Sequence, residues 1–227
     1  MNTQVTQQEL DVLTADVTLP GSLLMPLDCA GVVIFAHGSG SSRHSPRNRA
    51  VASALLERGC GALLFDLLTA QEERDRKNVF DIGLLGGRMV DAMKWIRTLD
   101  AVRERPVGLF GASTGSAAAL VAAARLGEEV AAVVSRGGRP DLAGEALASV
   151  IAPTLLIVGS LDEQVLALNQ EAQRLLGGES ELLIIEGATH LFEEPGTLEQ
   201  VADAAGRWFV AHFGRADRAR STEEQRP

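Results

Sequence analysis

The segment Gly111–Gly115, with the sequence Gly-Ala-Ser-Thr-Gly, follows the apolar run Val107–Phe110 and precedes an Ala-rich stretch. The pattern is G-x-S-x-G, and its place between a buried strand and a helix puts the central serine, Ser113, on a sharp turn. Glycine on each side avoids the Cβ clashes that such a turn creates, and the following helix aims its first amides at the serine. The segment therefore predicts a nucleophilic serine; the alternative is a glycine-rich turn with an incidental serine.

The rest of the chain alternates short apolar runs with stretches of helical periodicity. The apolar runs are nearly continuous, which is typical of strands buried on both faces. Strands that alternate with helices predict an α/β fold with a doubly wound, mostly parallel sheet. The predicted parallel strands are Val32–Ala36, Ala62–Phe65, Val107–Phe110, Ala131–Val134, Thr154–Val158 and Glu181–Ile185. The predicted helices cover about Asn48–Arg58, Phe80–Leu99, Ser116–Arg125, Asp141–Ser149, Val165–Leu176 and Leu198–Phe213.

The two ends of the chain differ from this core in their pattern. Val12–Leu19 alternates polar and apolar side chains, Pro20-Gly21 follows, and Ser22–Met25 is a second apolar run. We expect an antiparallel hairpin at the sheet edge, which brings the sheet to about eight strands. Residues 1–213 are then a single domain without a large lid, and the charged residues 214–227 form a disordered tail.

Composition and charge restrict the function classes. The chain has 227 residues, with 21 Lys and Arg against 30 Asp and Glu, and a net charge of −9. A non-specific nucleic-acid binder needs a positive surface, so no nucleic-acid partner is expected. The polar start, Met1–Leu10, lacks the order of a signal peptide, and the longest apolar stretch, Ala117–Ala124, is too short to cross a bilayer. We expect a soluble, cytoplasmic protein with no membrane partner.

The cysteines give no sign of a metal or redox centre. Cys29 and Cys60 are the two cysteines of the chain, and neither has C-x-x-C spacing. In a cytoplasmic chain we expect buried, reduced thiols, the alternative being a disulfide. Ligand spacing suggests neither a metal nor an organic cofactor, so none is expected.

A nucleophilic serine requires a base, and the base requires an acid that orients it. His190 follows the predicted strand Glu181–Ile185 and is the candidate base. Asp162 follows the preceding strand and completes the chain order Ser, Asp, His; Asp141 is the reserve acid and Glu163 a further one. Because the carboxyl ends of parallel strands meet at one edge of a sheet, these side chains can lie together despite their separation in sequence.

The loop His37–Gly40, with the sequence His-Gly-Ser-Gly, follows the first parallel strand. A tetrahedral intermediate needs two backbone N–H groups that face its oxygen, and we predict those of Ser39 and Thr114. The alternative, a phosphate-binding loop, lacks the Lys-Ser/Thr of a P-loop. His37 is interpreted as a structural histidine that holds this loop, and His212, in the last predicted helix, as structural too.

Several side chains near the predicted site are candidates for substrate binding. Arginines could hold a substrate carboxylate or phosphate through forked hydrogen bonds. The alternative is that they pair with Asp66, Asp141 or Glu163 and fix loops. His44 is as consistent with lining the pocket as with lying outside it. The predicted substrate-binding residues are Arg43, His44, Arg136, Arg139 and Leu191.

Taken together, these motifs resemble the α/β-hydrolase superfamily over about residues 20–213, and within it the dienelactone-hydrolase-like group. The matching segments are His37–Gly40, Gly111–Gly115, Gly159–Glu163 and Ala188–His190. The resemblance implies an α/β-hydrolase fold, with Ser113, Asp162 and His190 as nucleophile, acid and base and the Ser39 and Thr114 amides as the oxyanion hole. Dienelactone hydrolases proper use a cysteine nucleophile, whereas this chain has a serine, which moves the expected activity toward a general serine esterase.

These observations predict a serine hydrolase that cleaves carboxylic esters, lactones or thioesters of small soluble substrates through an acyl-Ser113 intermediate. Its partner is a small-molecule ester substrate, and the chain is expected to be a monomer or a homodimer. Two alternatives stay open. One is an acyltransferase or perhydrolase with the same triad, and the other is a non-catalytic binding protein of the same fold.

Overall fold

An eight-stranded sheet forms the centre of the part of the chain that the structure describes. The structure is a computed structural model that describes residues 4–223, and side chains as far as residue 216. The strands are β1 (Val5–Leu13), β2 (Thr18–Pro26), β3 (Gly31–Ala36), β4 (Cys60–Phe65), β5 (Val107–Ala112), β6 (Ala132–Arg136), β7 (Thr154–Gly159) and β8 (Ser180–Ile185). Their order in the sheet is β1-β2-β4-β3-β5-β6-β7-β8. β1 pairs antiparallel with β2, and β2 antiparallel with β4, whereas the neighbours from β4 to β8 are parallel.

Helices cover both faces of this sheet. The helices are α1 (Pro46–Glu57), α2 (Arg76–Val79), α3 (Ile82–Ile96), α4 (Thr114–Leu126), α5 (Glu163–Leu175) and α6 (Thr197–Glu223). The apolar residues of α1 and α6 pack on one face, and those of α3, α4 and α5 on the other. The strands from β3 to β7 are buried on both faces, which explains their continuous apolar character. The predicted fold class is confirmed, and each predicted parallel strand is present within a few residues.

The N-terminal hairpin is also confirmed, but Pro20-Gly21 does not form its turn. The turn lies between Thr14 and Val17, where the Thr14 amide donates to the Val17 carbonyl at 3.0 Å. Pro20 and Gly21 lie inside β2 instead. A Cβ at Gly21 would come within 3.1 Å of Leu10 Cδ1 on β1, so this glycine permits close packing in the sheet rather than a turn.

Two predicted helices differ from the structure in kind or in length. The segment predicted as a helix at Asp141–Ser149 is a 3₁₀ segment, Pro140–Ser149, which is interrupted where Gly144 takes a positive φ of 55°. The last helix was expected to end at Phe213, and it continues to Glu223 into the segment predicted as a disordered tail. Residues 215–223 contain neither Gly nor Pro and several Ala and Arg, which favour helix. Residues 224–227 of that tail lie outside the described residues.

Both cysteines are buried and free, as predicted. Burial, and to a smaller extent the neighbouring Cys29, raises the pKa of the Cys60 thiol to about 12. A thiol with such a pKa carries almost no thiolate at neutral pH, so Cys60 is a small apolar core residue.

A buried arginine joins the hairpin turn to the segment before α3. Arg88 of α3 is 2% exposed, and its guanidinium forms ion pairs with Asp16 and Glu72. It also donates to Thr14 Oγ1 at 2.6 Å, and Glu72 in turn accepts the amide of Thr69 at 2.8 Å. Two carboxylates thus balance a charge that would be costly to bury alone.

Within residues 4–223, no helix is both long and apolar enough to cross a membrane.

Candidate active site

Ser113 stands on a strained turn between β5 and α4. Its backbone has φ 53° and ψ −123°, a combination that a residue with a Cβ rarely adopts and that costs on the order of 1–3 kcal/mol. Backbone hydrogen bonds hold it there: the Ser113 amide donates to the Arg136 carbonyl, and the Ser113 carbonyl accepts from the Arg139 amide, both at 3.1 Å. The loop after β6 therefore fixes the turn that carries the predicted nucleophile.

The two glycines of the motif allow this turn to pack against the sheet. A Cβ at Gly111 would lie 2.4 Å from the Ser116 Cα, inside the first turn of α4. A Cβ at Gly115 would lie 2.4 Å from the carbonyl oxygen of Ala36 and 2.5 Å from that of His37. Both contacts are with backbone atoms, which cannot move aside as a flexible side chain could.

We therefore expect Gly115→Ala to lower the free energy of unfolding by about 2–3 kcal/mol, because the added methyl group forces α4 away from the end of β3. Urea denaturation measures this difference. Gly87→Ala is the matched control: it lies inside α3, its Cβ would approach only the Arg125 side chain at 3.8 Å, and alanine there should stabilise by about 0.5–1 kcal/mol. Equal stability of Gly115→Ala and the wild type would contradict the close approach.

The predicted base and acid are in contact. His190 Nδ1 lies 2.7 Å from Asp162 Oδ2. A carboxylate can only accept, so Nδ1 carries the proton and Nε2 keeps a free lone pair. Asp162 precedes the first residue of α5, and its loop is bound to the His190 loop through the Leu161 amide, which donates to the Ala188 carbonyl at 3.0 Å.

The reserve acids lie elsewhere. Asp141 forms a forked ion pair with Arg139. Glu163 is the first residue of α5, and among the described residues the carboxylate that bonds to His190 is that of Asp162. Asp162 is therefore the candidate acid that the structure brings to His190.

Ser113 and His190 line a common cavity of about 260 Å³. Within the described residues, the Ser113 hydroxyl forms no hydrogen bond, either to His190 or to another side chain. Bonds between a nucleophile and its base are often long in proteins without substrate. The three predicted residues, Ser113, Asp162 and His190, thus lie at one edge of the sheet, and the candidate acid already orients the candidate base.

One of the two predicted oxyanion-hole amides, that of Ser39, already has an acceptor. The Ser39 amide donates to the Thr114 hydroxyl, Oγ1, at 2.9 Å. This bond ties the loop after β3 to the first residue of α4. This side-chain contact was not predicted, because the predicted role of Thr114 concerned its backbone alone.

A second, larger cavity of about 510 Å³ adjoins the first along the loop after β3. Gly38, Ser39, Ser41 and Ser45 line both cavities. The wall that comes from the segments after β4 is mostly apolar: it consists of Leu67, Leu68, Val79 and Leu85, together with Glu73. The predicted His44, from the loop before α1, lines the cavity as well.

A family model described as alpha/beta hydrolase fold matches residues 31–185 of the chain. The chain belongs to the α/β-hydrolase family. Among solved structures, a dienelactone hydrolase from Anabaena variabilis ATCC 29413 is 52% identical, with a TM-score of 0.90 over 92% of this chain and 98% of that one. The predicted resemblance to the dienelactone-hydrolase-like group is thereby confirmed.

The chain is also similar to a solved structure of low sequence identity and to curated proteins that are about twice as long. Est1E from Butyrivibrio proteoclasticus has a TM-score of 0.78 at 16% identity, over 91% of this chain and 99% of that one, which shows the fold alone. A Mycobacterium tuberculosis H37Rv protein, provisionally named phosphoribosyl transferase, is 58% identical over 206 residues. The match covers 91% of this chain but 46% of the relative, so the chain spans about half the length of the curated relatives it matches.

The arginines predicted near the site of this α/β hydrolase fall into two groups. Arg43 forms an ion pair with Asp66, and Arg139 with Asp141. Both arginines therefore stabilise loops, which was the alternative to substrate binding. Neither of them lines the two cavities described above. Arg136 lines the Ser113 cavity, together with the predicted Leu191.

Sequence reasoning missed other residues of the same cavity. Arg47 and Asn48, in the first turn of α1, line it alongside Ser41 and Ser45. One sequence feature could have pointed to them: the long connection Gly38–Arg47 follows a parallel strand at the sheet edge that carries Ser113. Nothing in the local sequence indicates that the first turn of α1 faces the nucleophile.

His37 has the structural role that was predicted for it. Its Nε2 accepts the Leu67 amide at 3.1 Å, and its Nδ1 lies 3.0 Å from the Gly38 carbonyl, so the ring holds the loop after β3 against the end of β4. Burial lowers the pKa of His37, against smaller upward effects of the Gly38 carbonyl and of Asp66 and Glu73. His212 is likewise buried, with Nδ1 2.8 Å from the Trp208 carbonyl.

The lowered pKa of His37 predicts a loss of stability in mild acid. The unfolded chain takes up the proton first, below a pH of about 6.5, so stability falls as pH drops from there toward the lower pKa of the folded state. Protonated Nε2 also loses the Leu67 bond. Urea titrations at pH 7 and pH 5 should show a smaller loss in His37→Asn than in the wild type. The same loss in both proteins would show that another group is responsible.

Proposed function

We propose that this protein is a serine hydrolase of carboxylic esters, including lactones and thioesters, with Ser113 as nucleophile. The observation that carries the proposal is the 2.7 Å contact of Asp162 with His190, which lines the same cavity as the strained Ser113. Binding of a ligand requires neither an oriented imidazole nor a serine that lines the cavity on a strained turn, whereas acyl transfer requires an oriented base and an accessible nucleophile.

In the proposed reaction, His190 Nε2 takes the proton of the Ser113 hydroxyl as its oxygen attacks the ester carbonyl. The imidazolium is stabilised by Asp162, and it then gives the proton to the leaving alcohol as the C–O bond breaks. The acyl-serine is released when His190 removes a proton from water, and the water oxygen attacks the same carbonyl. The proton returns to Ser113, so no cofactor is consumed.

Charge that develops on the carbonyl oxygen would be met by the backbone amides of Ser39 and Thr114. In this proposal the oxygen replaces Thr114 Oγ1 as the acceptor of the Ser39 amide, and the hydroxyl turns aside. The first turn of α4 adds a favourable field, since amides at a helix N-terminus carry partial positive charge. The two adjoining cavities would take the two sides of a small ester, the larger and more apolar one accepting a longer chain.

The name of the mycobacterial relatives supplies a different activity, phosphoribosyl transfer, which we do not propose for this chain. The chain matches less than half of those proteins, and the part matched by the hydrolase family model contains Ser113 and Asp162. Their name therefore describes a protein of which this chain covers a minor share.

A fluorophosphonate probe tests the proposal directly, because it labels a serine only when a base activates the hydroxyl. Intact mass should show one adduct, and peptide mapping should place it on Ser113. His190→Ala should remain unlabelled, and short 4-nitrophenyl esters should be hydrolysed by the wild type alone. A folded wild-type protein that takes up no probe would overturn the proposal in favour of a binding protein.

A further inference from the structure

Arg136 is a buried cation that has no counter-ion among the residues whose side chains the structure describes. It is the last residue of β6 and shares a face with Val134, two residues earlier, so its side chain points toward α1 rather than α4. The residue is 7% exposed. Its Nε and Nη1 atoms find no hydrogen-bond acceptor among the described residues.

An unpaired buried arginine lowers the stability of the folded state, so its presence needs an explanation. A buried guanidinium normally has a carboxylate beside it, because an unpaired buried charge destabilises the folded state by several kcal/mol, on the order of 3–5. Arg88, which is 2% exposed, follows that rule with Asp16 and Glu72. Arg136 departs from it at the edge of the cavity that contains Ser113.

The surroundings of Arg136 are positive as well. Arg47 lines the same cavity, and within the described part of the chain it forms one ion pair, a 3.4 Å contact with the exposed Glu193. The N-terminus of α1 faces the cavity through Arg47 and Asn48, which adds the positive end of a twelve-residue helix. None of the described residues that line this cavity is acidic, although the chain as a whole has a net charge of −9.

The charge of Arg136 persists at neutral pH. Burial, and then repulsion by Arg47, lowers its pKa to about 10. More than nine in ten Arg136 side chains are still protonated at pH 8, so a ligand that enters the cavity meets a cation.

We propose that Arg136 is a specificity residue that binds an anionic oxyacid group of the substrate, a carboxylate or a phosphate, within a few atoms of the scissile ester. The assignment rests on the proposed function, since it places the anion beside the carbonyl that Ser113 attacks. Two parallel N–H donors of a guanidinium match two oxygens of such a group, and Arg47 supplies a second positive charge. The short reach of the 260 Å³ cavity favours small acids.

Matched chromogenic esters test the assignment. Mono-4-nitrophenyl glutarate and 4-nitrophenyl butyrate share a leaving group and differ in the terminal carboxylate. In Arg136→Met we expect kcat/KM for the glutarate ester to fall about 10- to 100-fold, and that for the butyrate ester to change less than about threefold. Arg174→Met, which removes an exposed arginine from α5, should leave both unchanged. An equal fall for both esters would overturn the assignment, because Arg136 would then serve the chemistry or the fold.

Binding to Ser113→Ala separates this assignment from the hydrolase proposal. Calorimetric titration with glutarate and with inorganic phosphate should show which oxyacid binds, and Arg136→Met in the same background should abolish the signal. If Ser113→Ala binds the anion through Arg136 but the wild type hydrolyses no ester, the anion site stands and the hydrolase proposal is refuted. If the wild type hydrolyses esters but Ser113→Ala binds no anion, the hydrolase proposal stands and the anion site is refuted. Should Arg136→Met not fold, Arg136→Gln carries the same comparison.

Discussion

Ser113→Ala is expected to lower kcat for ester hydrolysis by about 10⁴- to 10⁶-fold, because the acyl-enzyme route is lost when the nucleophile is removed. Alanine keeps the Cβ of serine, so the strained turn at φ 53° carries the same cost in both proteins. Steady-state hydrolysis of 4-nitrophenyl butyrate measures the loss, and thermal unfolding should show little change.

Ser41→Ala is the matched control for this experiment. Ser41 lines the same cavity but lies in the loop after β3, away from the strained turn, so its loss should change kcat less than about tenfold. Retention of most activity by Ser113→Ala would refute the proposed mechanism.

Asp162→Asn should lower kcat by about 10³- to 10⁴-fold with little change in fold. Its side-chain amide can donate to His190 Nδ1, which favours the tautomer with the proton on Nε2 and removes the lone pair that would take the Ser113 proton. The measurement is the same ester assay, extended over pH. A fluorophosphonate should label this variant far more slowly than the wild type.

Asp141→Asn distinguishes the two candidate acids. Asp141 is bound to Arg139 rather than to His190, so we expect activity within about threefold of the wild type. A larger loss in Asp141→Asn than in Asp162→Asn would reverse the assignment of the acid.

The sheet and the site edge could be predicted because they depend on local patterns. Strands such as Val107–Ala112 are buried on both faces, and continuous apolar runs are the direct trace of that burial. The order of the sheet-edge residues along the chain then predicted that Asp162 and His190 would meet. Their contact rests on topology, which brings the carboxyl ends of neighbouring parallel strands together.

Features that depend on three-dimensional neighbours could not be predicted. Pro20-Gly21 has the composition of a turn, yet Gly21 is required by the side chains of β1. Arg136 and Arg139 lie three residues apart and look alike in sequence. Arg139 has Asp141 two residues away as a partner, whereas the direction of β6 sends Arg136 into the interior. Only the packed structure separates these two roles.

The ion pairs of Arg88 make the wall of the larger cavity suitable for redesign. Arg88 holds Glu72 from inside the protein, and the segment that follows Glu72 supplies Val79, opposite Leu85 of α3. The backbone of this wall is therefore anchored independently of the side chains that face the cavity. Val79 is half-buried, so a library at this position would alter the shape offered to a substrate while Arg88 holds the backbone, whereas Leu85 is a buried core residue and is left unchanged. Directed evolution thereby has a position where selectivity and folding are separable.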